Sequence, residues 1–399
     1  MLTESQLTRY ADVLLWGLTT ARKRPFHRND IVVIRYNLKA VRLAEILFEK
    51  LLSTGQNPVL RCGQTPVMEE KFFALSNNDQ LVFQPPGDTA LIKNLNGSIS
   101  IIAPESLTHL SQVDPRKIGK AAMARKPLRD ILEKRENTGD FSWTLGMYPT
   151  AALAKHAGMS QTEYARQIVK ACFLDRSKPV EQWKSIYQQA RTIKKWLNAM
   201  KIKNLRIETS HMDLTITPGG HRQWVGISGH NIPSFELFLS PDWRGTNGVY
   251  FADMPSYRDG NLVKNLRLEF KAGRAVKITA DKGEEFATKL LATDEGAARL
   301  GEFSLTDKRF SKISRFMANT LFDENFGGSQ GNCHIALGAS YADTFVGNPS
   351  ELTSVRKKKL GFNESAIHWD VINTEKKRVT AILAQGRKKA VYENGMFCL

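Results

Sequence analysis

Cysteine is scarce in this chain, and the few present stand apart. Cys62, Cys172, Cys333 and Cys398 are the only four in 399 residues, with no Cys-x-x-Cys pair among them. That spacing excludes a thiolate-built zinc ribbon and argues against a disulfide framework. No apolar run reaches the roughly 20 residues of a membrane span, so no membrane partner is expected. The N-terminus, Met1-Leu2-Thr3-Glu4-Ser5-Gln6, is polar and acidic where a secretory leader would be basic and then apolar. These absences predict a cytoplasmic protein. Gly-x-Gly-x-x-Gly, the Walker loop and Gly-x-Ser-x-Gly are missing as well, which removes the phosphate-cradling fingerprints and the serine-hydrolase elbow.

Acid is short relative to base. The chain has 57 Lys and Arg against 40 Asp and Glu, a formal net charge of +17. A charge of that size raises the question of nucleic acid. The cations are dispersed, however, in short clusters such as Arg22-Lys23-Arg24, Arg356-Lys357-Lys358-Lys359 and Arg387-Lys388-Lys389. No RNP-like aromatic motif, zinc-finger spacing or continuous basic arm accompanies them. Solvated surface charge accounts for the excess, and a nucleic-acid partner is not expected.

What is present reads as two domains, of ordinary globular composition at 42% hydrophobic and 24% charged residues. In the first half, compact apolar runs at Ile31–Tyr36, Pro58–Cys62, Leu81–Gln84, Ser98–Ala103 and Phe141–Met147 read as strands. Helical patterns lie between them at Ala40–Leu52, Pro66–Leu75 and Asp114–Lys134, and three more follow at Thr150–Ala157, Ser160–Phe173 and Val180–Ala199. This alternation predicts an α/β fold. Residues 1–200 are expected to form a Rossmann-like domain with a mostly parallel sheet covered on both faces. Hairpin patterns then appear, Leu205–Thr209 with Met212–Ile216 and Asn265–Phe270 with Ala275–Ile278, so residues 201–399 are expected to be an α+β domain.

The chemistry-bearing residues lie in that second half. His334 is embedded in Asn332-Cys333-His334-Ile335-Ala336-Leu337-Gly338, and His368-x-Asp370 follows. On a strand, His368 and Asp370 would share a face, because side chains alternate. An imidazole and a carboxylate converging there can grip a divalent cation, although a hydrogen-bonded couple is the commoner meaning of such a pair. Glu236, Glu302 and Glu324 each sit among apolar neighbours, and each taken singly reads as solvent-facing. Cys333 reads as a small buried residue rather than a nucleophile. Tyr341, considered alone, reads as an aromatic packed at a strand end.

Several ordered motifs change that reading. They are Asn231-Ile232-Pro233-Ser234-Phe235-Glu236-Leu237-Phe238, Leu300-Gly301-Glu302-Phe303-Ser304-Leu305, Thr320-Leu321-Phe322-Asp323-Glu324-Asn325 and Cys333-His334-Ile335-Ala336-Leu337-Gly338. With Lys126-Pro127-Leu128 and Asp294-Glu295-Gly296-Ala297, this series resembles the metal-dependent aminopeptidases of the aminopeptidase T and aminopeptidase S type, over nearly the whole chain. The resemblance implies metal positions at Glu236, Glu302, Glu324, His334, His368 and Asp370, with Glu302 as the ligand that bridges two cations. It implies Tyr341 as the catalytic tyrosine beside Glu302, and a Rossmann-like domain followed by an α+β catalytic domain. The implied activity is removal of N-terminal residues from short peptides with a free N-terminus, by a homodimer using a water activated at a dinuclear centre.

Four carboxylates would balance two divalent ions, and a set of hard donors with two imidazoles admits zinc, cobalt, manganese or magnesium. Two departures from the family pattern stand out. Phe235 replaces a glycine or acid before Glu236, and the segment Asn325–Asn332, with Gly327, Gly328 and Gly331, is longer than in better-known members. A degenerate family member kept as a scaffold is the main rival reading. It predicts loss of a ligand, yet all six positions carry ligating residue types.

Overall fold

Four of the five apolar runs in the first half are strands, and every pairing among them is parallel. They are β1 (Ile31–Tyr36), β2 (Asn57–Cys62), β3 (Gly97–Ile102) and β4 (Ser142–Met147). The next two in chain order, β5 (Ile202–Glu208) and β6 (Asp213–Thr217), belong to another sheet. The two-residue strand β7 (Asn231–Ile232) then completes the order β2-β1-β3-β4-β7. Both faces of this sheet are covered, as an all-parallel sheet requires. On one, Val33, Ile92, Leu95 and Phe141 pack with Leu128, Ile131 and Leu132 of the helix Lys126–Thr138. On the other, Gly146 makes room for Tyr10 of the helix Glu4–Thr20, because a Cβ there would fall 2.6 Å from the Tyr10 hydroxyl. That hydroxyl donates to the Met147 carbonyl at 2.9 Å.

The fifth run is a correction. Residues 81–84 are not a strand: Leu81 and Val82 close the helix Asn78–Val82. The Asn77 side chain accepts from the amides of Asp79 and Gln80, while the Gln80 side chain accepts from the Asn77 amide. This reciprocal cap outweighs the strand preference of a short apolar run. The basic helix expected over Asp114–Lys134 is two helices, Pro115–Ala124 and Lys126–Thr138. Pro127 has no N–H to offer the preceding turn, so the ladder breaks there.

The computed structural model describes residues 1–258 and 260–399. It falls into two units, one of residues 1–183 with 228–232 and one of residues 184–227 with 233–399. The second unit adds β8 (Glu236–Leu239), β9 (Asp242–Ala252), β10 (Ser256–Arg258), β11 (Asn261–Val263), β12 (Leu266–Lys271), β13 (Arg274–Thr279) and β14 (Leu300–Thr306). It continues with β15 (Asn332–Gly338), β16 (His368–Asn373), β17 (Arg378–Leu383), β18 (Lys388–Glu393) and β19 (Met396–Phe397). Eight of these strands form one sheet, β13-β12-β9-β6-β5-β17-β18-β19, and four form another, β16-β15-β14-β8. Both expected hairpins are present, β5 with β6 and β12 with β13.

Two buried tyrosines tie these two sheets together. Tyr250 of β9 donates to the Val371 carbonyl at 2.7 Å, and Tyr392 of β18 donates to the Thr306 carbonyl at 2.7 Å. Within the four-stranded sheet, Leu237, Phe303, Ile335 and Trp369 each adjoin a candidate ligand in sequence, point to the other face and are at most 2% exposed. Burial of side chains this size contributes on the order of 1.5–3 kcal/mol each. The sheet is thereby held in one register, and its opposite face carries the site.

Candidate metal centre

Strand register places the candidate ligands. Thr306 pairs with Glu236, Ser304 with both Phe238 and His334, and Ala336 with both Glu302 and Asp370, while Gly338 pairs with His368. Directly opposed residues share a face, and side chains along a strand alternate. Glu236, Glu302, His334, His368 and Asp370 therefore all project from one face of the four-stranded sheet. A β-bulge at Gly301 is part of this arrangement. Leu300 pairs with Leu337 and Glu302 with Ala336, so two residues of β14 advance against one of β15 and Glu302 is turned to the face opposite Leu300. A Cβ at Gly301 would lie 2.4 Å from the Ala339 carbonyl oxygen, which only glycine avoids.

The side chains converge at short range. His334 Nε2 lies 3.2 Å from Glu302 Oε1 and 3.3 Å from Glu236 Oε2, and these three residues each offer a ligand atom within 4.8 Å of the others. From β16, His368 Nε2 approaches Asp370 Oδ1 at 3.3 Å and Glu302 Oε2 at 3.8 Å, and Asp370 Oδ1 is 3.9 Å from His334 Nε2. The other ring nitrogen of His368 meets the Ala339 carbonyl at 2.9 Å, which fixes which edge of the imidazole faces the acids. Ser304 donates to Glu236 Oε2 at 3.3 Å.

Glu324 comes from outside the sheet, just after the short helix Thr320–Asp323. The longer segment that follows it does not carry it away. Its carbonyl accepts from Thr306 Oγ1 at 3.3 Å and from Asn332 Nδ2 at 3.0 Å, and the residue is buried. Tyr341 lies just beyond β15, 47% exposed, its ring 4.6 Å from that of His368 and 6.0 Å from that of Phe238.

Burial and crowding set the charges. Glu236 and Glu324 are held above the ordinary carboxylate range, first by burial and then by the other acids of the cluster. Burial alone would lower the two imidazoles. The carboxylates around them reverse this and lift His334 and His368 to about 9. Burial pushes Asp370 up, but His368 outweighs it, with His334 and Arg258 assisting, and the net shift is downward. His334 Nδ1 is buried with no hydrogen-bond partner among the described residues. Four carboxylates and two imidazoles, crowded and almost dry, form a donor set that fits hard divalent cations, whose charge would offset the mutual repulsion of the acids.

Comparison with known proteins agrees with this geometry. A family model described as thermophilic metalloprotease (M29) matches residues 3–397. The chain belongs to the M29 metalloprotease family. It is accordingly a metal-dependent peptidase. Aminopeptidase AmpS of Bacillus subtilis (strain 168) is 29% identical over 331 residues, covering 78% of this chain and 79% of its own. Aminopeptidase T of Thermus aquaticus is 30% identical over 313 residues, 73% of this chain and 74% of its own. The solved structure of wild-type AmpT from Thermus thermophilus superposes with a TM-score of 0.81 at 22% identity, covering all of both chains, and so has the same fold.

Within this M29 chain, the three acids expected singly to face solvent are all buried: Glu236 at 7%, Glu302 at 3% and Glu324 at 8% exposure. The histidines near Glu236 in sequence do not join them. His211 pairs with Glu375, and His230 meets Ser228 and Glu136. Sequence reasoning passed over Ser304, Gly301 and Arg258, which donates to the His368 carbonyl at 2.5 Å. A serine two residues beyond Glu302 was the available signal, since period two puts both on the ligand face.

Proposed function

We propose that this M29 peptidase is an aminopeptidase, as its curated relatives are named, and that Glu236, Glu302, Glu324, His334, His368 and Asp370 hold two divalent cations. The observation that carries the reading is the common face of β8, β14, β15 and β16, from which five of the six side chains project. Zinc, cobalt, manganese and magnesium all suit such donors. Bound divalent cations supply Lewis acidity to a water and to a carbonyl. Glu302 lies within reach of both imidazoles and would be the carboxylate that helps to hold both ions.

The chain's own residues then do the following. The carboxylates fix the charge balance, and His368, oriented by the Ala339 carbonyl, presents one nitrogen inward. Tyr341 donates a hydrogen bond to the carbonyl oxygen as it gains charge, and the donor is ready because the phenol hydroxyl has no hydrogen-bond partner among the described residues. The substrate is a short peptide with a free N-terminus. In this reading residues 201–399 form the catalytic domain, residues 1–200 contribute no ligand, and the protein works as a cytoplasmic homodimer.

The test is metal analysis of the purified protein together with release of the N-terminal residue from a panel of short peptides, free and N-acetylated. Two divalent ions per chain with cleavage of the free peptides alone is the expected result. Metal-bound protein that cleaves neither set would favour the scaffold reading instead.

A further inference from the structure

The strand that begins with Glu236 does more than deliver a carboxylate. We infer that Ser240, just past the end of β8, is a positioning residue for Tyr341, so that one strand sets the distance between the metal ligand and the tyrosine. The inference rests on the reading of Tyr341 given above and concerns how that side chain is held.

Tyr341 lacks the usual means of fixing a functional phenol. It is 47% exposed, and its hydroxyl makes no hydrogen bond among the described residues. Its placement comes from the main chain. The Tyr341 amide donates to Ser240 Oγ at 2.8 Å, and the Tyr341 carbonyl accepts from Thr344 Oγ1 at 2.8 Å. Both hydroxyl side chains are fully buried. The backbone between those two bonds sits at φ −93 and ψ 132, an ordinary extended conformation held without strain.

Ser240 is itself immobilised. Arg222 Nε donates to its carbonyl at 2.6 Å, while the same guanidinium donates to the Gly220 and Leu360 carbonyls at 3.0 Å each. The guanidinium lies 3.3 Å over the Phe362 ring. Gln223 continues the clamp, its amide donating to the Thr344 carbonyl at 2.8 Å and its side chain to the Asp343 carbonyl at 2.9 Å. Glu236, Phe238 and Ser240 are spaced two apart, which places them on one face of the extended chain. They supply in turn a ligand, a ring 6.0 Å from the Tyr341 ring, and the acceptor for the Tyr341 amide. At about 3.3 Å per residue, the span from Glu236 to Ser240 is roughly 13 Å. A shift of the Tyr341 backbone by about 1 Å is enough to cost around a hundredfold in rate.

A double-mutant cycle tests this, with turnover of a free-amine dipeptide and metal content measured for parent, Ser240→Ala, Tyr341→Phe and the double variant. Ser240→Ala is expected to lower kcat at least tenfold, with KM within about twofold and metal content unchanged. In the Tyr341→Phe background the same substitution should have no further effect, because the group it positions is gone. Thr344→Val, which removes the hydroxyl on the other side of Tyr341, should behave in the same way and serves if Ser240→Ala fails to fold. Equal losses in both backgrounds, or parent turnover in Ser240→Ala, would overturn the positioning role and leave the Tyr341 reading intact. Parent turnover in Tyr341→Phe would overturn both.

Discussion

His334 Nε2 lies 3.2 Å from Glu302 Oε1, although the strand register pairs neither residue with the other: His334 faces Ser304 across the sheet and Glu302 faces Ala336. The contact is diagonal, between positions on neighbouring strands of the same face. It places a carboxylate at the centre of the cluster, where its removal disturbs every neighbour. Glu302→Gln should therefore abolish peptide release and sharply reduce bound metal, with little change in urea unfolding of the metal-free protein. Parent-like activity in this variant would remove Glu302 from the site.

Tyr341→Phe deletes one hydrogen-bond donor and leaves the ring contacts with His368 and Phe238 in place. The loss in kcat should be about 10²–10³, the usual consequence of removing an oxyanion donor. Metal content and thermal stability should match the parent. Steady-state kinetics beside metal analysis separates this from a folding defect.

Cation binding should stabilise the fold, since only the folded chain brings the acids together. A divalent ion at 100 times its dissociation constant contributes about 2.7 kcal/mol per site. Thermal unfolding of protein stripped with chelator, then titrated with zinc, cobalt, manganese or magnesium, should show a rising midpoint. Glu302→Gln should blunt the rise. A midpoint indifferent to all four metals would speak against a metal centre.

Gly301→Ala forces a methyl group to within 2.4 Å of the Ala339 carbonyl oxygen. Relief requires movement of the bulge that aims Glu302. A stability loss of about 1–3 kcal/mol is expected, accompanied by weaker metal binding. Urea unfolding with and without metal measures both, and an unaltered metal affinity would show that the bulge does not orient Glu302.

The acid limb of stability has a separate source. Burial would raise the Glu375 carboxyl, but hydrogen bonds from Thr209, His211, Ser210 and Asn373 outweigh it and bring it to about 2. A folded-state value below the unfolded one, about 4.3, means stability that is present above the unfolded value and lost as pH falls through the folded one. The stability difference between parent and Glu375→Gln should thus be full at pH 6, shrink below about pH 4.5 and vanish near pH 2. Urea unfolding across that range checks it, and a difference constant with pH would refute it.

Much of the fold was legible because burial writes itself as pattern. β1, β2, β3 and β4 announced themselves as compact apolar runs, and the β5–β6 and β12–β13 hairpins as paired alternations around turn residues. The helix Asn78–Val82 was not legible, because its apolar residues carry no period and its cap lies outside them. Nor was β7, two residues whose partner strand ends more than eighty positions earlier. The ligand face was partly legible. His368 and Asp370 reveal their shared face by spacing alone, but alternation within β14 is broken by the bulge at Gly301, and pairing between strands far apart in sequence leaves no local trace.

The order of the four-stranded sheet also governs how the chain matures. β15, buried throughout and apolar at every position except Asn332 and His334, gains its second neighbour only when β16, from residue 368 onward, has been made. Until then it is an open edge of a kind that recruits strands from other chains. In the proposed reading, a chain ending before His368 would lack two of the six metal ligands and would leave this apolar strand as the edge of the sheet. β16 then takes over the outer position of the sheet and sets His368 and Asp370 beside the other acids, so the strand that covers the apolar β15 is also the one that completes the cluster.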